Sequence, residues 1–360
     1  MRLFCPGPVN LHPKVSSLEL PQISHRGKDF QTLFKECTKK TKDLFSISDS
    51  SYTPLFLTGS GTLAIESMIA SYKGKGRVLL LQNGFFAEKW EAFFQNHGVD
   101  YSTLSFGWEN SFSYDSIRDV LTESSFQALF FVHHETSTTR VNDITSLNKL
   151  CVEFRLDLLV DGVSSVGMYR IDIPSLESLC MIAYSTNKCI GSYPGLAVVI
   201  GKTTFFESLP QTISYLNLYQ YYKFSLLNET PFTPCVQNFM YYNECLNCLF
   251  EEFQRFDVYK YLCDYFIAEC RKIGLSPYIS NPKEQCCWVV NISCAYPNEL
   301  YNYLYDHTFV IYKCKGSLQN THVQVAFLNQ SKQEIDELLQ LIRSFYTTKA
   351  QEGLTEPVES

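Results

Sequence analysis

Short runs that are apolar at nearly every position alternate with amphipathic stretches through the first two thirds of the chain. RVLLLQ (77–82), ALFFV (128–132), LLV (158–160) and MIAY (181–184) read as strands covered on both faces. Between them apolar residues recur at helical spacing. Phe30, Leu33, Phe34 and Cys37 predict a helix introduced by Ser24-His25-Arg26, and Leu63, Ile65, Met68 and Ile69 predict another. YDSIRDVL and the stretch from Ile144 to Phe154 predict two more. Strands separated by helices describe a mostly parallel α/β sheet with its ligand groups along one edge. From about residue 246 the pattern becomes α+β: one long helix to Ile273, a strand in CCWVVNI, a helix in PNELYNYLYDH, strands in FVIYK and HVQVAFL, and a last helix. Ser331 and Glu334 are spaced as a capping box for that helix, and Ile335, Leu338, Leu339 and Ile342 form its buried stripe.

At 360 residues about two domains are expected. They are read as an extended segment 1–20, a large domain 21–245, a smaller domain 246–347 and a polar tail 348–360 expected to be disordered. A hydrophobic content of 45% with 19% charged residues supplies an ample core. The net charge of −7 and the pI near 5.6 argue against nucleic acid or an anionic membrane as the main partner. No apolar run reaches the roughly 18 residues of a membrane span. The opening MRLFCPGPVNLHP is proline-broken and too short for a signal peptide, so a cytoplasmic protein is expected. The 14 cysteines read as small reduced core residues. Cys245 and Cys248 lack a second pair, and the neighbours His133, His134 and Glu135 on an extended segment point to opposite faces, so no metal is assigned.

The chemistry concentrates between residues 156 and 195. LDLLVDGVSS ends a strand in Asp161, and MIAYSTNK ends the next in Lys188. One acid and one lysine at neighbouring strand ends suit pyridoxal phosphate: the lysine amine condenses with the cofactor aldehyde, and the carboxylate keeps the pyridine nitrogen protonated. About a hundred residues earlier, a short strand ends in Thr58-Gly59-Ser60-Gly61-Thr62 and opens a helix. Glycines allow close backbone approach there, and a helix start favours phosphate.

In this order the motifs resemble the class V aminotransferases of pyridoxal phosphate fold type I, over roughly residues 1–345. The likeness is greatest to 2-aminoethylphosphonate:pyruvate transaminases and alanine:glyoxylate aminotransferases. The resemblance implies a large domain with a mostly parallel seven-stranded sheet and a smaller α+β C-terminal domain. It makes Lys188 and Asp161 catalytic and assigns the phosphate to Ser60, Gly61 and Thr62. Phe86 would stack on the ring with Val163 on the opposite face, and Ser185 or Asn187 would reach the phosphate region. The family's H-x-E-[ST]-[ST]-T-G segment falls on residues 133–139, with the hydroxyl near Ser137 bonding the cofactor's phenolic oxygen. The pattern L-x-L-Y…K…F-T-P implies a homodimer in which Thr233 reaches the neighbouring subunit's cofactor.

Two positions depart from the family. Arg140 stands near the usual glycine-hydrophobic pair, and Gln324 occupies the place of an arginine whose planar fork grips the substrate's carboxylate or phosphonate. Arg26, Lys313 or Lys315 would then supply the positive charge, or the substrate would lack that anion. The expected reaction moves an amino group between a small amine or amino acid, such as 2-aminoethylphosphonate, alanine or serine, and a 2-oxo acid. Two alternatives stay open. One is a pyridoxal phosphate lyase or desulfurase with Cys314 as its loop thiol, and the other is a non-catalytic homologue that binds the cofactor.

Overall fold

The structure, a computed structural model, describes residues 1–252 and 254–355, the last four of these by their backbone alone. The described chain divides into two compact units, one running from Leu11 to the segment before Gln254, the other formed by Met1–Asn10 with the chain from Gln254 onward.

The first unit is built on a seven-stranded sheet in the order Tyr52–Thr58, Leu196–Lys202, Leu179–Ser185, Asp157–Asp161, Ala128–Val132, Val78–Gln82, Tyr101–Ser105. Leu196–Lys202 runs antiparallel to both neighbours and the other pairs are parallel. The uninterrupted apolar runs are explained by cover on both faces. Leu79, Leu81, Leu129 and Phe131 enter one core with Phe34, Phe56 and Phe239, while Val78, Leu80, Ala128 and Phe130 enter the other with Met68, Trp90 and Phe94. Consecutive strand residues thus go to opposite layers, as the pleat requires. The first core is tied by edge-on rings, Phe34 to Phe56 at 5.1 Å and Phe30 to Phe239 at 5.1 Å.

Helix ends differ from the sequence reading in two places. The helix expected after Ser24-His25-Arg26 begins at Lys28 and runs to Leu44. The turn before it is closed by Gly27 N donating to Ser24 O at 2.9 Å. The single long helix expected to Ile273 is two helices, Val236–Glu251 and Arg255–Arg271. Cys245 and Cys248 therefore sit in a helix of the first unit, and the division between units falls after residue 252 instead of at 245.

The second unit carries an antiparallel sheet in the order Val289–Ser293, His322–Ala326, Tyr312–Lys313, with helices Arg255–Arg271, Pro297–Asp306 and Lys332–Thr355. Arg2–Leu3 pairs in parallel with Phe309–Val310. The capping box forms: Glu334 Oε2 accepts from Ser331 N at 2.7 Å, and Glu334 N donates to Ser331 Oγ at 3.2 Å. Ile335, Leu338, Leu339 and Ile342 are buried as the stripe requires. This helix continues through Thr355, past residue 348 where a disordered tail was expected to start; residues 356–360 lie outside the described residues. All 14 cysteines are free thiols and all but Cys235 are buried. Among the described residues no helix is long and apolar enough to cross a membrane.

Candidate active site

The carboxyl edge of the sheet opens onto a cavity of about 200 Å³. Asp161 ends the strand that lies between Ala128–Val132 and Leu179–Ser185, so the parallel register delivers its side chain to that edge. Its carboxylate is 3% exposed. Oδ1 accepts from Val163 N at 2.9 Å, and Oδ2 accepts from the indole Nε1 of Trp90 at 2.8 Å. Burial pushes its pKa up to about 7 against the lowering effect of these two donors. Gly162 follows because the backbone turns against the next strand; a Cβ there would lie 2.9 Å from Ile182 Cδ1 and Val166 Cγ2.

Lys188 comes from the neighbouring strand, in a turn that leaves Ser185 and is closed by Gly191 N to Lys188 O at 2.8 Å and Ser192 N to Thr186 O at 2.9 Å. It lines the same cavity as Asp161. The helix Gly61–Ser71 starts there as well, with Ser60 as its N-cap. Its first internal bond is Leu63 N to Ser60 O at 3.0 Å, which leaves the amides of Gly61 and Thr62 ahead of the helical ladder, where an anion is favoured. Gly61 must stay bare: a Cβ would come within 2.9 Å of Val163 Cγ2 and 3.1 Å of Ser185 Cβ. Phe86 and Trp90, one turn apart on the helix Phe85–His97 with rings 6.4 Å apart, form a further wall.

The Aminotransferase class-V family profile matches residues 12–234, more than half of the chain and the whole of this site. The chain belongs to the class V aminotransferase family. It is 27% identical over 259 residues to an uncharacterised aminotransferase of Methanocaldococcus jannaschii, covering 69% of this chain and 66% of that protein. It is 26% identical over 335 residues to a 2-aminoethylphosphonate–pyruvate transaminase of Bacillus cytotoxicus, covering 89% of this chain and 90% of that protein. The chain thus spans just under two thirds of the archaeal relative and nine tenths of the bacterial one. Among solved structures it shares the fold of an alanine–glyoxylate aminotransferase from Nostoc sp., with a TM-score of 0.85, 22% identity and 95% of each chain covered.

In this member of the class V aminotransferase family, Ser60, Gly61, Thr62, Phe86, Asp161, Val163, Ser185, Asn187 and Lys188 line the one cavity, nine of the eleven residues expected around a cofactor. Ser137 and Thr233 do not. The hydroxyl of Ser137 donates to Glu135 Oε1 at 2.6 Å and accepts from Phe85 N at 2.9 Å, while the wall position is taken by Thr136, whose Oγ1 donates to Ser164 Oγ at 2.7 Å. Thr233 is exposed in the loop before the helix Val236–Glu251. Arg26 is also outside the cavity; its guanidinium pairs with Glu229, to which Gln31 Nε2 adds a bond of 3.0 Å. Gln324 is buried in the second unit and donates to Asn291 Oδ1 of the adjacent strand at 2.8 Å.

Trp90, His134, Thr136 and Ser164 are wall residues that the sequence reading passed over. His134 Nδ1 bonds the carbonyl of Ser164 at 2.9 Å, and burial pushes its pKa down to about 3, so it is neutral. Its neighbour His133 is likewise held neutral by burial, at about 4. The departure at 139–140 has a structural account. Thr139 stands where the family has glycine, with a φ of +60° that suits glycine. Arg140 turns its buried guanidinium to Ser111 Oγ at 2.7 Å and Glu109 O at 2.9 Å, tying the hairpin to the 109–111 loop.

Proposed function

We propose that the protein is a pyridoxal-phosphate-dependent aminotransferase that moves an amino group between a small amine or amino acid and a 2-oxo acid. The single observation that carries this reading is the buried Asp161, aimed with Lys188 into one cavity that also receives the free amides of a helix start. The residues fit the cofactor: a desolvated acid for the ring nitrogen, an amine for the aldehyde, a Cβ-free cradle at Gly61 and the amides of Gly61 and Thr62 for the phosphate. When bound, the cofactor supplies an electron sink for the carbanion formed at the substrate carbon.

The chain's own residues do the rest. Asp161, with its proton affinity raised by burial, attracts and holds the ring N–H. Phe86 and Val163 would hold the ring between them, and Thr136 offers a hydroxyl on the wall. Lys188 would hold the cofactor by its aldehyde end and, as a free amine, would carry the proton to and from the substrate carbon. Thr233, exposed in its loop, suits a contact to a second copy's phosphate in a homodimer. The desulfurase alternative loses its thiol. Cys314 is 6% exposed, and burial pushes its pKa up to about 12, so neither access nor a thiolate is provided.

The decisive experiment is a spectral screen of the cofactor-loaded chain with 2-aminoethylphosphonate, alanine and serine, followed by a 2-oxo acid. Conversion of the visible absorbance by an amine and its return by the oxo acid is expected. Lys188→Ala should abolish both; full turnover in that variant would refute the assignment.

A further inference from the structure

The helix Phe85–His97 carries two walls of the site but has no cap of its own: Gly84 stands at its N-cap without a side chain. The cap comes from 48 residues further along the chain. Glu135 Oε2 accepts from both Phe86 N and Ala87 N at 3.1 Å. Its other oxygen, Oε1, accepts from Ser137 N at 3.1 Å and from Ser137 Oγ at 2.6 Å. The side chain is fully buried. Gly84 is required by this approach, since a Cβ on it would lie 2.4 Å from Glu135 Cγ and 2.7 Å from Ser137 Oγ. A carboxylate at a helix start accepts from amides left over by the ladder and meets the positive end of the helix dipole.

We propose that Glu135 is a positioning residue of the site: by gripping the first turn of this helix it sets Phe86 against the ring space and Trp90 against Asp161. Two groups act through it. Phe86 sits on the gripped amide itself, and Trp90, one turn on, places its Nε1 2.8 Å from Asp161 Oδ2. Glu135 also acts by charge, because a second buried carboxylate nearby raises the proton affinity of Asp161. Burial raises the proton affinity of Glu135 as well, against the lowering effect of the donors from Ser137, Ala87 and Phe86. The other titratable groups facing Asp161 are Lys89, which lowers its affinity, and Lys188 across the cavity; His134 there is neutral.

Glutamine cannot replace this carboxylate. Its amide NH2 would face either the amides of Phe86 and Ala87 or the amide of Ser137, donor against donor, and its charge is gone. Aspartate keeps the charge and shortens the reach. The test follows the indole N–H resonance of Trp90 in the cofactor-free full chain, identified as the one of the three tryptophan signals lost in Trp90→Phe. Titrated with pH, it reports Asp161, with a midpoint of about 7 in the wild type. In Glu135→Asp the shortened reach should displace the Trp90 resonance and raise the midpoint, since the indole donor that lowers the proton affinity of Asp161 is loosened. In Glu135→Gln that rise is offset by the removed negative charge, so its midpoint should lie about one unit below that of Glu135→Asp. A merely structural role would not separate these two variants.

The second readout is the dissociation constant for pyridoxal phosphate, and it alone rests on the cofactor reading. It should weaken about tenfold in both variants, which is about 1.4 kcal/mol. If the wild type bound no pyridoxal phosphate, the cofactor reading would fail while the Trp90 titration still decided the role of Glu135. A Trp90 resonance left undisplaced in Glu135→Asp, or equal midpoints in the two variants, overturns the proposal. Should Glu135→Gln not fold, Glu135→Asp decides alone, because it keeps the charge and draws the carboxylate back from the amides of Phe86 and Ala87. A displaced Trp90 resonance in Glu135→Asp supports the proposal, and an undisturbed one overturns it.

Discussion

Asp161→Asn should make the cofactor-free chain more stable at alkaline pH while weakening its hold on pyridoxal phosphate. The folded carboxyl titrates at about 7 because burial penalises its charge, whereas an unfolded aspartate titrates at about 3.9. Below both values the side chain is protonated in either state and contributes nothing. Between them the unfolded chain ionises first, so stability falls by about 1.4 kcal/mol per pH unit until the folded group also ionises near pH 7. The accumulated penalty is about 4 kcal/mol, of which about 3 falls between about pH 5 and pH 8. Asparagine carries no such penalty. Its Oδ1 accepts from only one of the two present donors, Val163 N and Trp90 Nε1, and the mismatch at the other costs about 1–3 kcal/mol at any pH. The pH-dependent part therefore isolates the buried charge. Urea unfolding of both chains across this range should show the difference moving by about 3 kcal/mol in favour of the variant as pH rises. A difference that stays constant, or moves the other way, would refute the view that Asp161 is held as a desolvated acid for the cofactor's nitrogen.

Other predictions test the periphery of the site and the scaffold. Arg155 closes the helix Ile144–Phe154 in the left-handed region, with a φ of +57°, and is exposed. Arg155→Gly should raise stability by about 0.5–1 kcal/mol in the same urea assay, because the Cβ strain exceeds the entropy lost by glycine. Arg26→Ala should cost no more than about 1 kcal/mol, the range of exposed ion pairs, and leave the affinity for pyridoxal phosphate measured by fluorescence unchanged. A large loss of affinity there would return Arg26 to the site.

How much of this was legible in the sequence depends on how local each signal is. Asp161 and Lys188 could be read because a buried strand announces itself by apolar residues on both faces, so the first polar side chain after it marks the strand's carboxyl end. The glycines at 59 and 61 are local in the same way. Thr136 and Ser137 lie in the turn that joins His134–Glu135 to Arg140–Val141, and which of two adjacent turn hydroxyls faces the cavity is set by the turn geometry, which has no simple periodicity in sequence. Trp90 was missed for another reason: on the helix Phe85–His97 the aromatic residues Phe86, Trp90 and Phe93 follow one another at core spacing, and only the Asp161 carboxylate, 71 residues away, distinguishes one of them as polar in function.

Glu135 shows the same limit from the other side. In sequence it reads as a polar residue of an extended segment, and a cap drawn from 48 residues away leaves no trace in the helix it serves except a glycine at the N-cap. That absence has a physical consequence for the site. A local serine or aspartate cap would satisfy the same amides but would anchor the helix only to its own loop. The distant carboxylate joins the helix that carries Phe86 and Trp90 to the hairpin that carries His134 and Thr136, so four wall residues share one anchor. The second core adds rigidity beneath it, with Trp90 and Phe94 packed on the strand Ala128–Val132 that leads into the hairpin. An acid whose proton must match that of a ring nitrogen is sensitive to small displacements of its donors, and here its indole donor and the hairpin behind it share a single buried anchor.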